Sequence, residues 1–406
     1  MRILFLHQNF PGQFPHLAPA LAARGHQVIA LTAEDNSRRT PIRTFRYRTP
    51  RRPEVGGPGQ TYSEMAERGA SVARACAQLA RREGFTPDLV IGHPGWGETL
   101  YLRSVWPGAR ILAYAEFLYR ATGLDTNFDP EFARDPLVSA ISVAARSAHL
   151  VQSMLDADAA IAPTAFQAGT FPLALQTKIH VIHDGIDTDR IRPDPQAGFA
   201  LPDGRILRHG DEVISFVNRN LEPYRGYHCF MRALPDVLAA RPDAQVVIVG
   251  GTGQSYGTAP PDGSSSWRDH FLAEVAGRID RARLHFTGPV PYPQFVALMQ
   301  VTRVHCYLTY PFVLSWSMLE AMAAGALVLG SDTPPVAEVI RHGENGRLVG
   351  FFDIEGWSRE MIRALEDPGR DAGLRRAARE TVVGTYDLRR ICLPAQIAHV
   401  ESLLAG

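Results

Sequence analysis

The stretch Phe216-Val-Asn-Arg-Asn-Leu-Glu-Pro-Tyr-Arg-Gly226 puts Arg219 and Arg225 directly after an apolar, β-branched run. Two guanidinium groups on one loop can neutralise a diphosphate through forked, charge-assisted hydrogen bonds. An ordinary surface ion pair between Arg225 and Glu222 would account for the same residues. A second stretch, Tyr310-Pro-Phe-Val-Leu-Ser-Trp-Ser-Met-Leu-Glu-Ala-Met-Ala-Ala-Gly325, also follows a strand-like run and predicts a helix beginning near Ser317. The unpaired N–H groups of such a helix start attract an anion, and Glu320 in its first turn would reach the same place. The alternative is a capping box, Ser317-x-x-Glu320, in which Glu320 only bonds its own helix start. Lys178 is the single lysine, so arginine carries the other cationic roles.

Positioning these side chains takes a regular framework, and the hydrophobic pattern supplies one. Short apolar runs alternate with longer amphipathic stretches, twice over. The first series has predicted strands at 3–6, 27–31, 88–91, 110–114, 159–161 and 178–182, with a helix over 14–24 ended by Gly25. The second has strands at 212–217, 245–249, 283–286, 304–308 and 327–329, and helices at 227–240, 267–280, 293–300 and 318–324. Strands this apolar on both faces belong in parallel sheets covered by helices, which predicts an α/β chain of two doubly wound domains. Their ligand clefts would lie at the carboxyl ends of the strands. Turn chemistry without periodicity at 184–187, 192–195 and 201–204 marks a linker. The domains are therefore expected at 1–187 and 188–387, with a final helix over 388–404 and the segment 388–406 packing back on the first. Residues 250–266, rich in Gly, Ser and Pro, read as an exposed insertion.

Composition narrows the function classes. The chain has 406 residues, with 42 Lys+Arg against 42 Asp+Glu, which excludes a globally basic nucleic-acid binder. A content of 45% hydrophobic and 21% charged residues excludes a disordered chain. Cys76, Cys229, Cys306 and Cys392 lie far apart with no C-x-x-C pair, so neither a zinc site nor a disulfide framework is expected, and a reducing cytoplasm fits. The apolar run before His7 is too short for a signal peptide, and no segment approaches the roughly 20 apolar residues of a membrane span. The run from Arg38 to Arg52 contains no acid; it could meet anionic lipid at the inner membrane face, grip a phosphorylated acceptor, or be a solvated, mobile loop.

Taken together, the motifs resemble the retaining GT-B glycosyltransferases of glycosyltransferase family 4 (glycosyl transferases group 1), most strongly from Asp184 to Phe352. Val181-Ile-His-Asp-Gly-Ile-Asp187 is similar to the family's interdomain signature, and Arg219 with Arg225-Gly226 to its cationic pair on the donor diphosphate. His285-Phe-Thr-Gly-Pro-Val290 is similar to the loop that holds the nucleobase through its backbone. Leu319-Glu-Ala-Met-Ala-Ala-Gly325, with Asn345-Gly-Arg-Leu-Val349 downstream, resembles the end of the family's E-x7-E element. Asn9-Phe-Pro-Gly-Gln-Phe14 falls where the family has its glycine loop; a plain strand-to-helix turn is the other reading of Gly12. The resemblance implies two Rossmann-like domains facing each other across a cleft. It implies a donor-binding set of Gly12, Arg219, Arg225, Val290, Leu314, Ser315, Trp316, Ser317 and Glu320, with Glu320 on the ribose hydroxyls. It also implies a nucleoside-diphosphate sugar as donor, an unidentified hydroxyl acceptor, a hexosyl transfer of the kind used in polysaccharide biosynthesis, and no cofactor or metal ion.

Two departures from the family pattern stand out. The first Glu of E-x7-E falls at Phe312, and the histidine expected after a first-domain strand falls at Glu116. Glu116 and His93 are the candidates for polar chemistry in the acceptor half; a lone histidine of this kind is otherwise structural. Rival readings are a non-catalytic nucleotide- or glycan-binding subunit, a sugar-nucleotide epimerase, and a phosphorylase, for which Lys178 is poorly placed to hold pyridoxal phosphate. A dehydrogenase is weaker, because Gly250-Gly-Thr-Gly253 lacks the full G-x-G-x-x-G.

Overall fold

Ile3, Leu4, Phe5 and Leu6 are all fully buried, as a strand covered on both faces requires. Leu4 and Leu6 join one apolar cluster, Ile3 and Phe5 another, so side chains alternate into cores on opposite faces of the sheet. The structure, a computed structural model, describes residues 1–405. It divides into two units: residues 1–185 together with the segment from Arg389 onward, and Ile186–Leu388.

The first unit carries a seven-stranded, wholly parallel sheet: β1 Arg2–Leu6, β2 Gln27–Ala33, β3 Arg43–Tyr47, β4 Leu89–Gly92, β5 Arg110–Tyr114, β6 Ala159–Ala162 and β7 Ile179–Val181. The order is β3-β2-β1-β4-β5-β6-β7. The second unit opens with a small antiparallel hairpin, β8 Gly198–Ala200 and β9 Ile206–Arg208. Its main sheet holds β10 Val213–Asn220, β11 Gln245–Gly251, β12 Leu284–Phe286, β13 Val304–Tyr307, β14 Leu327–Ser331 and β15 Arg347–Val349, in the order β12-β11-β10-β13-β14-β15. In both sheets the winding reverses beside the first strand, between β1 and β4 and between β10 and β13. Crossover helices leave in opposite directions there, and the carboxyl ends of those strands open a crevice.

The C-terminal helix, Leu393–Ala405, belongs to the first unit. Val400 enters its core, Gln396 donates to the His183 carbonyl at 3.0 Å, and Glu401 pairs with Arg24 at 2.6 Å. A wider π turn, Leu388–Cys392, precedes it, so the expected single helix from 388 is two pieces.

Several boundaries differ from expectation for local reasons. The first helix spans Leu17–Ala23 and not 14–24, because Pro15 disfavours helical backbone at Phe14. The helix expected to run to 280 ends at Val275, ahead of a short turn containing Gly277. The long helices Gln60–Glu83 and Pro136–Asp156 fill stretches where no element was expected.

The largest correction concerns the basic run. It is not a mobile loop: Arg43–Tyr47 is the edge strand β3, with Tyr47 buried. Arg43 pairs with Glu83 at 2.7 Å, Arg52 with Glu64 at 2.5 Å, and Arg46 donates to the carbonyls of Glu34 and Asn36. Arg39, Arg48 and Arg51 are exposed and make no ion pair among the described residues. No helix among the described residues is long and apolar enough to cross a membrane.

Candidate functional site

In the second unit the chain leaves β10 through a bulge between Val217 and Asn220, and Arg219 in that bulge is exposed. A short 3-10 turn, Pro223–Arg225, follows and ends on Gly226 at φ +69°, where a Cβ would collide with Leu308. That turn sends Arg225 inward. Its guanidinium is buried, with Nη1 donating to Thr309 Oγ1 and to the Val313 carbonyl, both at 2.8 Å. The rings of Tyr256 and Phe312 flank it, each 5.4 Å from the guanidinium carbon. Arg225 has no carboxylate within ion-pair range among the described residues. The expected pair with Glu222 does not form, because Glu222 Oε2 instead accepts the backbone N–H groups of Ser255, Tyr256 and Gly257 at 3.2–3.3 Å. The Gly/Ser/Pro-rich segment is thereby tied to a buried carboxylate near the site, a correction to its reading as a plain exposed insertion.

The neighbouring helix is Trp316–Ala324, capped by Ser315, whose hydroxyl accepts the Ser317 N–H. This overturns the capping box: the helix begins one residue before Ser317, and Glu320 falls in its second turn. The Glu320 carboxylate is 9% exposed and accepts the Tyr292 hydroxyl at 2.8 Å. Burial pushes its carboxyl up to about 7, against the opposing pull of that hydrogen bond and of the Arg190 charge. Arg190 lies over the Tyr292 ring at 4.4 Å. The Ser315 N–H, expected to face a ligand, donates to the Tyr307 hydroxyl at 2.7 Å. Leu314 and Val290 pack into the same apolar cluster as Met318 and Leu319. Trp316 is 39% exposed at the helix start.

In the first unit the crevice between β1 and β4 collects His7, Gln13, His93 and Glu116. Gly12, at φ +51°, belongs to the turn after β1; a Cβ there would sit 2.5 Å from His7 Nε2. His93 Nδ1 accepts the Gly95 N–H at 3.0 Å, and its Nε2 lies 3.4 Å from Glu116 Oε2. Gln13 Nε2 donates to Glu116 Oε1 at 3.2 Å. Burial raises the Glu116 carboxyl, but the hydrogen bond and charge of His93 and the Gln13 bond outweigh it, and the net shift is downward. His7 is pushed down to about 3 by burial and by the neighbouring His93. Beside this group, Tyr114 donates its hydroxyl to both Asp184 oxygens, at 2.8 and 3.0 Å.

The structure thus gathers Arg225, the 315–317 turn and Phe312 in one place, with Glu320 on the same helix and joined to Tyr292 and Arg190. It gathers Gly12, His93 and Glu116 in another, and leaves Arg219 at the rim of its strand. Sequence reasoning missed Tyr292, Arg190, Tyr256, His7 and Gln13. His7 was findable: like His93 and Glu116, it is among the first polar residues after a buried strand.

Two family models match the chain. One described as a glycosyl transferase family 4 group covers residues 24–191, and one described as glycosyl transferases group 1 covers 203–381. Among curated proteins, D-inositol 3-phosphate glycosyltransferase of Rhodococcus jostii is 27% identical over 200 residues, 48% of this chain and 42% of that protein. Phosphatidyl-myo-inositol mannosyltransferase of Mycolicibacterium smegmatis is 31% identical over 229 residues, 55% of this chain and 52% of that protein. The chain spans about half the length of the curated relatives it matches. Among solved structures, sucrose-phosphate synthase of Thermosynechococcus elongatus superposes with a TM-score of 0.75 at 18% identity, covering 100% of both chains. Anabaena HepE in complex with UDP-glucose superposes at 0.68 and 16% identity, covering 99% of both.

Proposed function

The chain belongs to the glycosyl transferases of family 4, group 1, with the GT-B type of fold, and from that premise we propose that it moves a hexosyl group from a nucleoside-diphosphate sugar to a hydroxyl acceptor with retention of anomeric configuration. One observation carries the reading: the Arg225 cation is buried at a topological switch point with no carboxylate in contact among the described residues, and the Glu222 charge near it is taken up by three backbone N–H groups. A buried charge is costly unless something of opposite sign meets it. A departing diphosphate is such a group. Arg219 at the strand end and the start of helix Trp316–Ala324 add positive potential beside it.

In this reading Glu320 takes the ribose hydroxyls in place of the Tyr292 hydroxyl, and the loop ending at Val290 frames the base. Gly12 lets the first unit's backbone approach the pyrophosphate, and Glu116 and His93 face the sugar or acceptor. The arginines and helix start supply the charge, so transfer should persist in a strong chelator; abolition by chelation would refute the metal-free form of the reading. Exposed Arg39, Arg48 and Arg51 support contact with phosphate, on an acceptor or a lipid headgroup.

The test is a calorimetric panel of uridine, guanosine, adenosine and deoxythymidine diphosphates and their sugars. One base series should bind, and Glu320→Ala should weaken it about tenfold or more, as for loss of a hydrogen bond to a charged group. Binding by none of them would sink the proposal. A non-catalytic nucleotide-binding subunit, the reading Phe312 invites, would bind donor yet never release the nucleoside diphosphate from it.

A further inference from the structure

Three side chains around Glu116 share an arrangement that plain packing does not call for. His7 Nδ1 accepts the Asn9 N–H at 2.9 Å, and His93 Nδ1 accepts the Gly95 N–H at 3.0 Å. Each backbone donor fixes a tautomer, since a neutral imidazole that accepts at Nδ1 carries its proton on Nε2. His93 Nε2 lies 3.4 Å from Glu116 Oε2, close enough to approach it but outside hydrogen-bond geometry. On the other carboxylate oxygen, Gln13 donates through Nε2 at 3.2 Å, which turns the Gln13 Oε1 acceptor away from Glu116. The Gln13 amide bears on the His7 ring, with His7 Nε2 and Gln13 Oε1 both buried and unpartnered. The hydrogen bonds in place run from two backbone amides to the imidazoles and from Gln13 to the carboxylate, which is itself 30% exposed.

We propose that His7, Gln13 and His93 are positioning residues that hold the Glu116 carboxylate as a fixed, hydrogen-bond-accepting anion, which selects an uncharged, hydroxyl-bearing sugar ring and rejects one carrying a carboxylate at that point. This rests on the reading that the strand ends of the first unit meet a glycosyl substrate. With the Gln13 donor on one oxygen and His93 close to the other, the carboxylate keeps lone pairs for substrate hydroxyls. A second anion there meets like-charge repulsion inside a partly desolvated site.

The test has a ligand-free arm and two ligand arms, all on the full chain. In ¹⁵N-histidine NMR, His7 should be a neutral Nε2–H tautomer, and Glu116→Gln should move both the His7 and the His93 signals. The side-chain amide that Glu116→Gln introduces cannot accept from both neighbours, so Gln13 must turn over and present N–H to His7. If the His7 signal is unmoved by Glu116→Gln, the chain of positioning is refuted, whatever the enzyme transfers. In the donor arm, wild type should bind UDP-glucose about tenfold or more tighter than UDP-glucuronate, as for one unfavourable charge contact. In the acceptor arm, UDP release with glucose or glucuronate as acceptor reads the same preference. A preference in either arm that collapses in Glu116→Gln and His93→Ala, and returns in His93→Gln, which retains an N–H donor, supports the proposal and identifies which ring is read. Equal treatment of neutral and acidic rings in both arms, or a preference that survives Glu116→Gln, overturns it. Failure of every nucleoside diphosphate to bind would instead overturn the proposed function and leave the NMR result standing on its own.

Discussion

Glu320 in the second unit and Glu116 in the first are carboxylates of the same type lying near sheet ends, yet their proton affinities move in opposite directions. Glu320 sits almost wholly out of solvent with one neutral hydroxyl donor from Tyr292, and burial wins, lifting it to about 7. Glu116 has the Gln13 donor on one oxygen and His93 3.4 Å from the other, and together they win over burial. Depth and neighbouring donors both set the direction: the deeper carboxyl with one neutral donor is raised, and the more exposed one beside His93 and Gln13 is lowered. The second unit holds a poised carboxyl, whereas the first holds a committed anion.

The sharpest way to break this contrast is Arg225→Ala. Removing a preorganised donor to a developing charge typically costs on the order of a hundred- to a thousandfold in turnover, and steady-state release of the nucleoside diphosphate should fall on that scale. Near-normal turnover would detach the buried cation from the chemistry. Next in size are the two carboxylates read against pH. The raised Glu320 carboxyl favours folding below the ordinary carboxyl range, a contribution lost as pH rises through about 7. Glu320→Gln should therefore gain stability on wild type between about pH 4.5 and 8, by up to about 3 kcal/mol at 1.36 kcal/mol per unit. Glu116 carries the opposite sign: its contribution is present at neutral pH and fades as acid protonates it, so the deficit of Glu116→Gln should shrink on acidification. Urea melts of both variants at several pH values check the pair, and parallel slopes would erase the distinction.

A smaller effect is expected at Gly12. Alanine there would bear a strained φ of +51° and press on His7, costing about 1–3 kcal/mol in a urea melt. The loss should also disturb the His93–Glu116 geometry. Tyr292→Phe is the mildest change. Losing one hydrogen bond costs about 1 kcal/mol, but it should raise the Glu320 carboxyl further, visible as a pH effect that runs on to higher pH.

Strands β1, β5, β10 and β11 were legible because burial on both faces demands unbroken apolar runs. β3 was not: as an edge strand it mixes Arg43 and Arg46 with Phe45 and Tyr47, and charge hides the pattern. β15 has only three residues, too few for periodicity to register. Arg225 and Glu320 could be singled out because charge near a buried strand or inside an apolar helix is conspicuous. The start of the helix at Trp316 was misjudged because Ser315 and Ser317 are both competent caps, and tertiary contacts such as Ser315 N–H to Tyr307 favour the first. Tyr292 and Tyr256 come from a distant helix and a glycine-rich loop, and their approach depends on packing that no local pattern encodes. Phe312, where a carboxylate was expected, lies edge-on to Tyr224 and Tyr256 and against the Arg225 guanidinium, so an aromatic nest packs round the cation in place of an acid.

β3 closes one end of the first sheet, and its outward row of N–H and C=O groups would be a template for a foreign chain. The guanidinium groups of Arg43 and Arg46 stand along that border, so an approaching β-segment of another molecule meets cations before it meets hydrogen-bonding backbone. Charge along that border disfavours edge-to-edge pairing with another chain, whatever else the arginine-rich run touches.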